Sequence, residues 1–500
     1  MRFFVLFCLL IAAPWLAAGV HASAQNTAPV LLLSDIHFDP FHNPRDLAQL
    51  RSAPIEQWPA ILNASTSLGA DVDRLAVDAK CGARTSDTGW PLLQTTLHAA
   101  HGAEAHPVFV TLSGDLLAHQ FPCRFHHIAT GASDADLSAF SAKTVAFVTL
   151  QLRLAFPHVP VYVALGNNDS GCADYDETPG NAFAESTTAT MLAAAAQANG
   201  ASSDRLLVNT SPEGDYSVAL PTPFQHGRLL VLNDVYDSEY FLICGGGAEP
   251  GPEASQIAWL RAQLTAARAH HEQVWVMGHI PPGIDVYASF HRFVLRPSEL
   301  CSANLQPFLK DSHLADTLLD YADIIRLALF AHTHMDEIRS LHRPGTPSAN
   351  AGSGQAAAAI PIKMVPSVTP YFGNHPAFLL AAVDPHTLVL KDWQTMVSPS
   401  SDGSAPPWTL GYQFSTAFHL PDFSAASAMQ LADGFALDRD GKAARSATYR
   451  AHFFAGDMGL YAFGLDQIWP AYGCAVREHG AEAFHDCLCP ATAPPTNSGK

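Results

Sequence analysis

Five short polar clusters recur along the chain, each at the end of an apolar run: Asp35-Ile36-His37, Gly114-Asp115, Gly166-Asn167-Asn168-Asp169, Gly278-His279 and His332-Thr333-His334. They offer carboxylate, amide oxygen and imidazole, all of which bind divalent cations. Imidazole combined with carboxylate favours zinc, manganese or iron over magnesium and calcium, which prefer oxygen alone. Singly, Gly-Asp is commonly a turn and Asp-x-His commonly a cap or chance, whereas His332-Thr333-His334 is more specific and reads as a metal pair. In series they describe a site for two ions, and two-ion sites do phosphoryl chemistry.

The spacing predicts how the ligands divide. Residues i and i+2 of an extended chain point the same way, so Asp35 and His37 can reach one ion, and His332 and His334 form a second such pair. Asp115 has two carboxylate oxygens and can bridge two ions. Asn167 supplies a neutral carbonyl oxygen, and His279 one imidazole.

Buried strands must position these groups. Apolar, β-branched runs at Val30–Leu33, Val108–Leu112, Val161–Leu165, Leu229–Leu232, Val274–Met277, Ile324–Phe330, Ile360–Val365, Phe378–Val383 and Leu388–Leu390 read as strands. Helical segments lie between several of them, at Leu92–His101, Leu137–Ala155, Thr187–Asn199 and Glu253–His270. The alternation predicts an α/β fold whose sites lie beyond the carboxyl ends of the strands. The late strands follow one another without helices, which predicts an antiparallel ending and two packed sheets. Residues 344–358 read as a loop, and 398–407 (SPSSDGSAPP) as a linker. Beyond it, Ala425–Ala436, Gly441–Phe453 and Gln467–Cys487 look helical.

The clusters resemble the calcineurin-like metallophosphoesterase superfamily pattern D-x-H, G-D, G-N-H-D/E, G-H and G-H-x-H. The segments Ser34–Pro40, Gly278–Gly283, Ala331–Glu337 and the late Pro366-Ser367-Val368-Thr369-Pro370-Tyr371 are similar to the acid sphingomyelinase-like phosphodiesterases. The resemblance covers roughly residues 29–395. It implies a four-layer αββα sandwich with a helical C-terminal subdomain. It implies that Asp35, His37, Asp115 and His334 hold one ion, and Asp115, Asn167, His279 and His332 the other, with zinc as the first expectation and manganese or iron as alternatives. It also implies disulfides Cys244–Cys301 and Cys474–Cys487.

Two positions depart from the family pattern. Asn168 replaces the His credited with protonating the leaving group, a variant found in endopolyphosphatase-like relatives. Asn cannot transfer a proton; the resemblance to the acid sphingomyelinase group, which has a His at this offset with a proposed proton-donor role, implies His119, four residues after Asp115, as the catalytic donor. Ala331 replaces the Gly before His332, which costs little if positive φ is not needed there. Asp39, Asp169 and Asp336 are candidates to orient ligand histidines, and Tyr371 either lines the leaving-group pocket or packs on the sheet.

The chain is 500 residues long with a formal net charge of -19, from 46 acidic and 27 basic residues. That balance argues against nucleic acid as a partner; a small phosphorylated substrate such as a phospholipid or nucleotide stays compatible, because metal ions supply positive charge. Residues 1–24 read as an export signal, with Ala22-Ser23-Ala24 as the cleavage site, and no later run spans a membrane. The resulting division is 1–24 signal, 25–397 catalytic domain, 398–407 linker and 408–500 helical subdomain. Without Cys8 there remain Cys81, Cys123, Cys172, Cys244, Cys301, Cys474, Cys487 and Cys489, an even set that suits disulfides in a secreted or periplasmic protein. A zinc–thiolate site is the weaker reading, because no CxxC pair occurs. Asn63 and Asn209 fit the N-glycosylation pattern, which matters only in a eukaryotic host. The expected activity is hydrolysis of a phosphodiester or phosphoanhydride. Polyphosphatase, nucleotide pyrophosphatase or phosphomonoesterase activity on the same core is the alternative, and a catalytically silent metal-binding protein the alternative of another class.

Overall fold

Among the described residues, twelve strands carry the architecture: β1 (Ala28–Leu33), β2 (Val110–Ser113), β3 (Val161–Ala164), β4 (Tyr216–Ala219), β5 (Gly227–Val231), β6 (Gln273–Met277), β7 (Ile325–Phe330), β8 (Glu337–His342), β9 (Ala359–Met364), β10 (Ala377–Val383), β11 (Leu390–Val397) and β12 (Thr409–Gln413). They form two six-stranded sheets, ordered β12-β11-β10-β1-β2-β3 and β4-β5-β6-β7-β9-β8. The computed structural model describes residues 27–65, 69–83, 85, 87–197, 210–247, 251–346, 358–403, 407–456 and 460–490. The expected export signal, Asn209 and most of the 344–358 loop lie outside these residues.

In the first sheet β1, β2 and β3 run parallel up to the β3 edge, and β10, β11 and β12 continue it antiparallel; in the second, the parallel centre β5–β6–β7–β9 is flanked by antiparallel β4 and β8. Strand periodicity explains the layering. Leu229, Val231, Trp275, Met277, Leu327 and Leu329 point inward and share one core with β1, β2 and β3. Their neighbours Leu230, Val274, Val276 and Ala328 point outward, against Leu260 and Leu264 of the helix Glu253–Ala269 and Leu314 and Leu318 of the helix His313–Leu319. On the other side, the helices Trp90–Ala103 and Asp134–Ala155 cover the first sheet. The second of these starts at a capping box between Ser133 and Asp136. Helices, sheet, sheet and helices form the expected sandwich. Between the sheets, the Tyr216 hydroxyl donates to the Val163 carbonyl, and Trp275 Nε1 donates to the Leu388 carbonyl.

Several elements differ from the sequence reading. β11 begins only at the last residue of the expected Leu388–Leu390 strand, because Leu388 adopts φ 58° in a turn. β8 reads as polar, yet every residue is buried, covered by the helices Ala425–Leu437 and Trp469–Arg477. The segment 398–407 joins two paired strands of one sheet, β11 and β12. The single helix expected over Gln467–Cys487 is two, Trp469–Arg477 and Ala481–Leu488, parted before Gly480.

Among the described residues, four disulfides form: Cys81–Cys123, Cys172–Cys244, Cys301–Cys489 and Cys474–Cys487. The last matches expectation, but Cys244–Cys301 does not form. Cys244 instead meets Cys172, because Glu177 N–H donates to the Leu242 carbonyl and holds the two loops together. Cys301 sits in the turn Pro297–Ser302, which packs in one apolar cluster with Phe484 and Leu488 of the last helix. No helix among the described residues is long and apolar enough to cross a membrane.

Candidate metal centre

The first ligand loop leaves β1 and runs beside the loop leaving β2. Asp35 N–H donates to the Gly114 carbonyl at 3.0 Å, His37 N–H to Asp115 at 2.9 Å and Phe38 N–H to Leu116 at 2.7 Å. This ladder brings Asp35, His37 and Asp115 together. The backbone is not extended there: Asp35 and His37 both have φ 44°, Asp115 56°, His332 70° and His334 68°. Left-handed conformations of non-glycine residues are strained and gather at functional sites. Asp35 and His37 therefore converge through paired left-handed turns rather than through strand alternation. Ala331 is not among the positive-φ residues; His332 itself makes the turn.

All seven expected side chains converge. His37 Nε2 lies 3.3 Å from Asp115 Oδ2 and 3.2 Å from His334 Nε2. His334 Nε2 lies 3.5 Å from Asp35 Oδ1. On the other side, His279 Nε2 is 3.2 Å from Asp115 Oδ2 and 3.1 Å from Asn167 Oδ1, and His332 Nδ1 is 2.9 Å from that same amide oxygen. His332 and His334, although i and i+2, thus face opposite groups. One oxygen of Asp115 stands between them.

The donor set fits two divalent cations. Neither oxygen of the buried Asp35 carboxylate has a hydrogen-bond donor among the described residues, nor does His334 Nδ1 have a partner. A buried carboxylate without donors is costly unless a cation faces it. Burial pushes the Asp35 carboxyl up to about 6, against the pull of His279. For Asp115 burial is overcome by His279 and His37, which hold its carboxyl well below the usual range. Burial and the charge of His279 push His332 down to about 3, and burial with His37 pushes His334 down as well, so both imidazoles stay neutral and able to bind metal.

Backbone carbonyls orient the histidines. His37 Nδ1 bonds the Leu117 carbonyl at 2.8 Å, and His279 Nδ1 the Ser113 carbonyl at 2.7 Å. The three carboxylates expected in this role do other things. Asp39 pairs with buried Arg124, 3.2 Å away. Asp169 accepts the N–H groups of Leu116, Leu117 and Gly166, tying two ligand loops together. Asp336 forms a buried ion pair with Lys363 and accepts the Thr395 hydroxyl. Asn168 donates from its backbone and side chain to the two oxygens of Asp115, at 2.9 and 3.0 Å. It steadies the central carboxylate.

Other residues carry parts that the motifs do not reveal. Asp174 accepts Asn167 Nδ2 at 2.7 Å, which turns the amide oxygen toward His279 and His332. Asp234 accepts the backbone N–H groups of both His279 and Ile280. Asp87 accepts His119 Nδ1 at 2.8 Å. Asp87 and Asp174 lie in loops and Asp234 opens the short 3-10 helix Asp234–Asp237, and no spacing marks any of the three. His119 keeps 14 % of its side chain exposed and stacks on the His37 ring at 3.9 Å; Tyr371 lies on its other face at 3.7 Å. Burial and the neighbouring His37 lower its pKa, with Asp87 opposing.

Close approach explains the glycines that precede the ligands. A Cβ on Gly166 would lie 2.3 Å from Asp115 Oδ1, and one on Gly114 (φ 93°) would lie 2.7 Å from His279 Nδ1.

A sequence profile described as calcineurin-like phosphoesterase matches residues 28–336. Among known proteins, the human acid sphingomyelinase-like phosphodiesterase 3b is 25 % identical over 419 residues, covering 80 % of each chain. Sphingomyelinase phosphodiesterase C of Dictyostelium discoideum is 23 % identical, covering 80 % of this chain and 82 % of its own. The human cyclic GMP-AMP phosphodiesterase SMPDL3A is 24 % identical, covering 68 % of this chain and 69 % of its own.

Proposed function

The chain belongs to the calcineurin-like phosphoesterase family and is a metal-dependent hydrolase of phosphodiester bonds; from that premise we propose the roles of its residues and the kind of substrate it takes. Asp35, His37 and His334 hold one divalent ion, Asn167, His279 and His332 the other, and Asp115 both. Zinc suits this imidazole-rich set best. When bound, two such ions neutralise phosphoryl oxygens and make a water acidic enough to attack near neutral pH. The protein residues do the rest. Asn168 and Asp174 fix Asp115 and Asn167, and His119 hands a proton to the departing oxygen, a step worth typically 10²–10⁴ in rate. The substrate is a small diester, such as a phospholipid headgroup or a nucleotide diester, in an oxidising export compartment that suits four disulfides.

One observation carries this reading: Asp115 Oδ2 lies within 3.3 Å of imidazoles from both halves of the site, His37 and His279. The test is metal analysis by mass spectrometry joined to a panel of bis-nitrophenyl phosphate, sphingomyelin, ATP, polyphosphate and a nitrophenyl monoester. Two equivalents of metal with turnover of the diesters is expected. Activity on the monoester alone would sink the diesterase reading, and turnover of polyphosphate alone would make the chain a polyphosphatase.

A further inference from the structure

The late segment Pro366–Tyr371 has no part in holding the ions, yet two of its side chains meet around His119. Asp87 grips His119 twice: Oδ1 accepts Nδ1–H at 2.8 Å and Oδ2 accepts the backbone N–H at 2.9 Å. The Thr369 hydroxyl donates to Asp87 Oδ1 at 3.2 Å, and the Thr369 N–H donates to the Asp35 carbonyl at 3.0 Å. Tyr371 stacks on His119 with the rings 10° from parallel, and the Thr85 hydroxyl holds the Tyr371 carbonyl at 2.8 Å. The Asp87 carboxylate is fully buried, with Arg124 3.9 Å away.

We propose that Asp87 and Thr369 are positioning residues that fix the His119 ring so that, with Nδ1–H held by Asp87, the Nε2–H of the protonated ring faces the leaving-group oxygen and passes its proton there, leaving the neutral Nδ1–H tautomer, while Tyr371 and His37 clamp its plane. A carboxylate on Nδ1 selects the tautomer and orientation of an imidazole, and losing that partner leaves the ring free to present the wrong nitrogen. The bidentate grip on both ring and backbone allows one ring position. Thr369 ties that grip to the backbone of Asp35, so donor and ion site keep a fixed spacing. The inference rests on His119 as proton donor, and the test separates the two claims.

The probe is a series of methyl aryl phosphate diesters whose phenols range from acidic dinitrophenol to phenol itself. An acidic phenol leaves without a proton; phenol needs one. In His119→Gln and Asp87→Asn proteins, zinc content and kcat are measured across the series. Both variants should retain two zinc ions, lose ~10²-fold on the phenol diester and change only a few-fold on the dinitrophenyl diester. Thr369→Val should move the same way by a smaller factor. If His119→Gln steepens the leaving-group dependence but Asp87→Asn and Thr369→Val lower every diester equally, the positioning claim fails and the donor claim stands. If His119→Gln does not steepen it, the donor claim fails and takes this inference with it. Should Asp87→Asn not fold, nitrogen-15 NMR of the neutral wild-type imidazole decides: a proton on Nδ1 is expected, and a proton on Nε2 overturns the assignment.

Discussion

Replacing Gly166 by alanine tests how tightly the central carboxylate is placed. The added Cβ would lie 2.3 Å from Asp115 Oδ1, 2.8 Å from its Cγ and 2.6 Å from its backbone nitrogen. Rotating the carboxylate cannot relieve the clash, because the backbone is struck as well. The two loops must therefore part by roughly 1 Å, and a displacement of that size at a reacting centre can cost about 10² in rate. Overpacking a tight site costs about 1–3 kcal/mol in stability, so the fold should survive. The assay is kcat on bis-nitrophenyl phosphate, with zinc content and melting temperature measured on the same samples. Gly434→Ala is the control: a Cβ there meets nothing within 4 Å, in the helix Ala425–Leu437, and should leave activity unchanged. Full activity and two bound ions in Gly166→Ala would refute the claim that Asp115 must sit where it does.

Other perturbations follow from the same geometry. Removing the ions with a chelator should lower the melting temperature, because each cation at a thousandfold excess over its Kd stabilises the fold by about 4 kcal/mol; calorimetry with and without chelator checks it. Asp35→Asn should abolish activity yet stabilise the metal-free protein at neutral pH. The folded-state pKa of Asp35 is raised from 3.8 to about 6, so the charged form is disfavoured by roughly 3 kcal/mol once the pH exceeds both values. The gain in the variant should be full above about pH 6 and vanish below about pH 4, and melts of the metal-free proteins at both ends measure it. Replacing both Cys301 and Cys489 by serine, at a sequence separation of 188, should cost about 2–4 kcal/mol in denaturant titrations. Zinc content should be unchanged.

The ion site was legible in the sequence because its chemistry needs rare residue types at strand ends, and seven such residues in order leave few other readings. Asp35, His37, Asp115, Asn167, His279, His332 and His334 lie side by side in the structure, although His332 and His334 face opposite groups. How they meet was not legible: left-handed turns at five of them are a matter of backbone strain, which spacing does not encode. The groups that orient them were hidden for two reasons. Leu117 and Ser113 act through backbone carbonyls, which no side-chain pattern reports. Asp87, Asp174 and Asp234 are single aspartates that become meaningful only when distant loops close on them. The strong strands of the core were found by their apolar runs, whereas β4, a four-residue edge strand, β8 and β12 were missed. β8 is polar and buried only because C-terminal helices cover it, and β12 is a mostly exposed edge strand. The Cys172–Cys244 and Cys301–Cys489 pairs depend on which loops pack together, information that cysteine spacing does not hold.

The most direct measurement is anomalous diffraction at the zinc absorption edge from crystals grown with zinc. Two peaks are predicted, both within bonding distance of Asp115, one beside Asp35, His37 and His334 and the other beside Asn167, His279 and His332. A single peak, or peaks that do not share Asp115, would contradict the account.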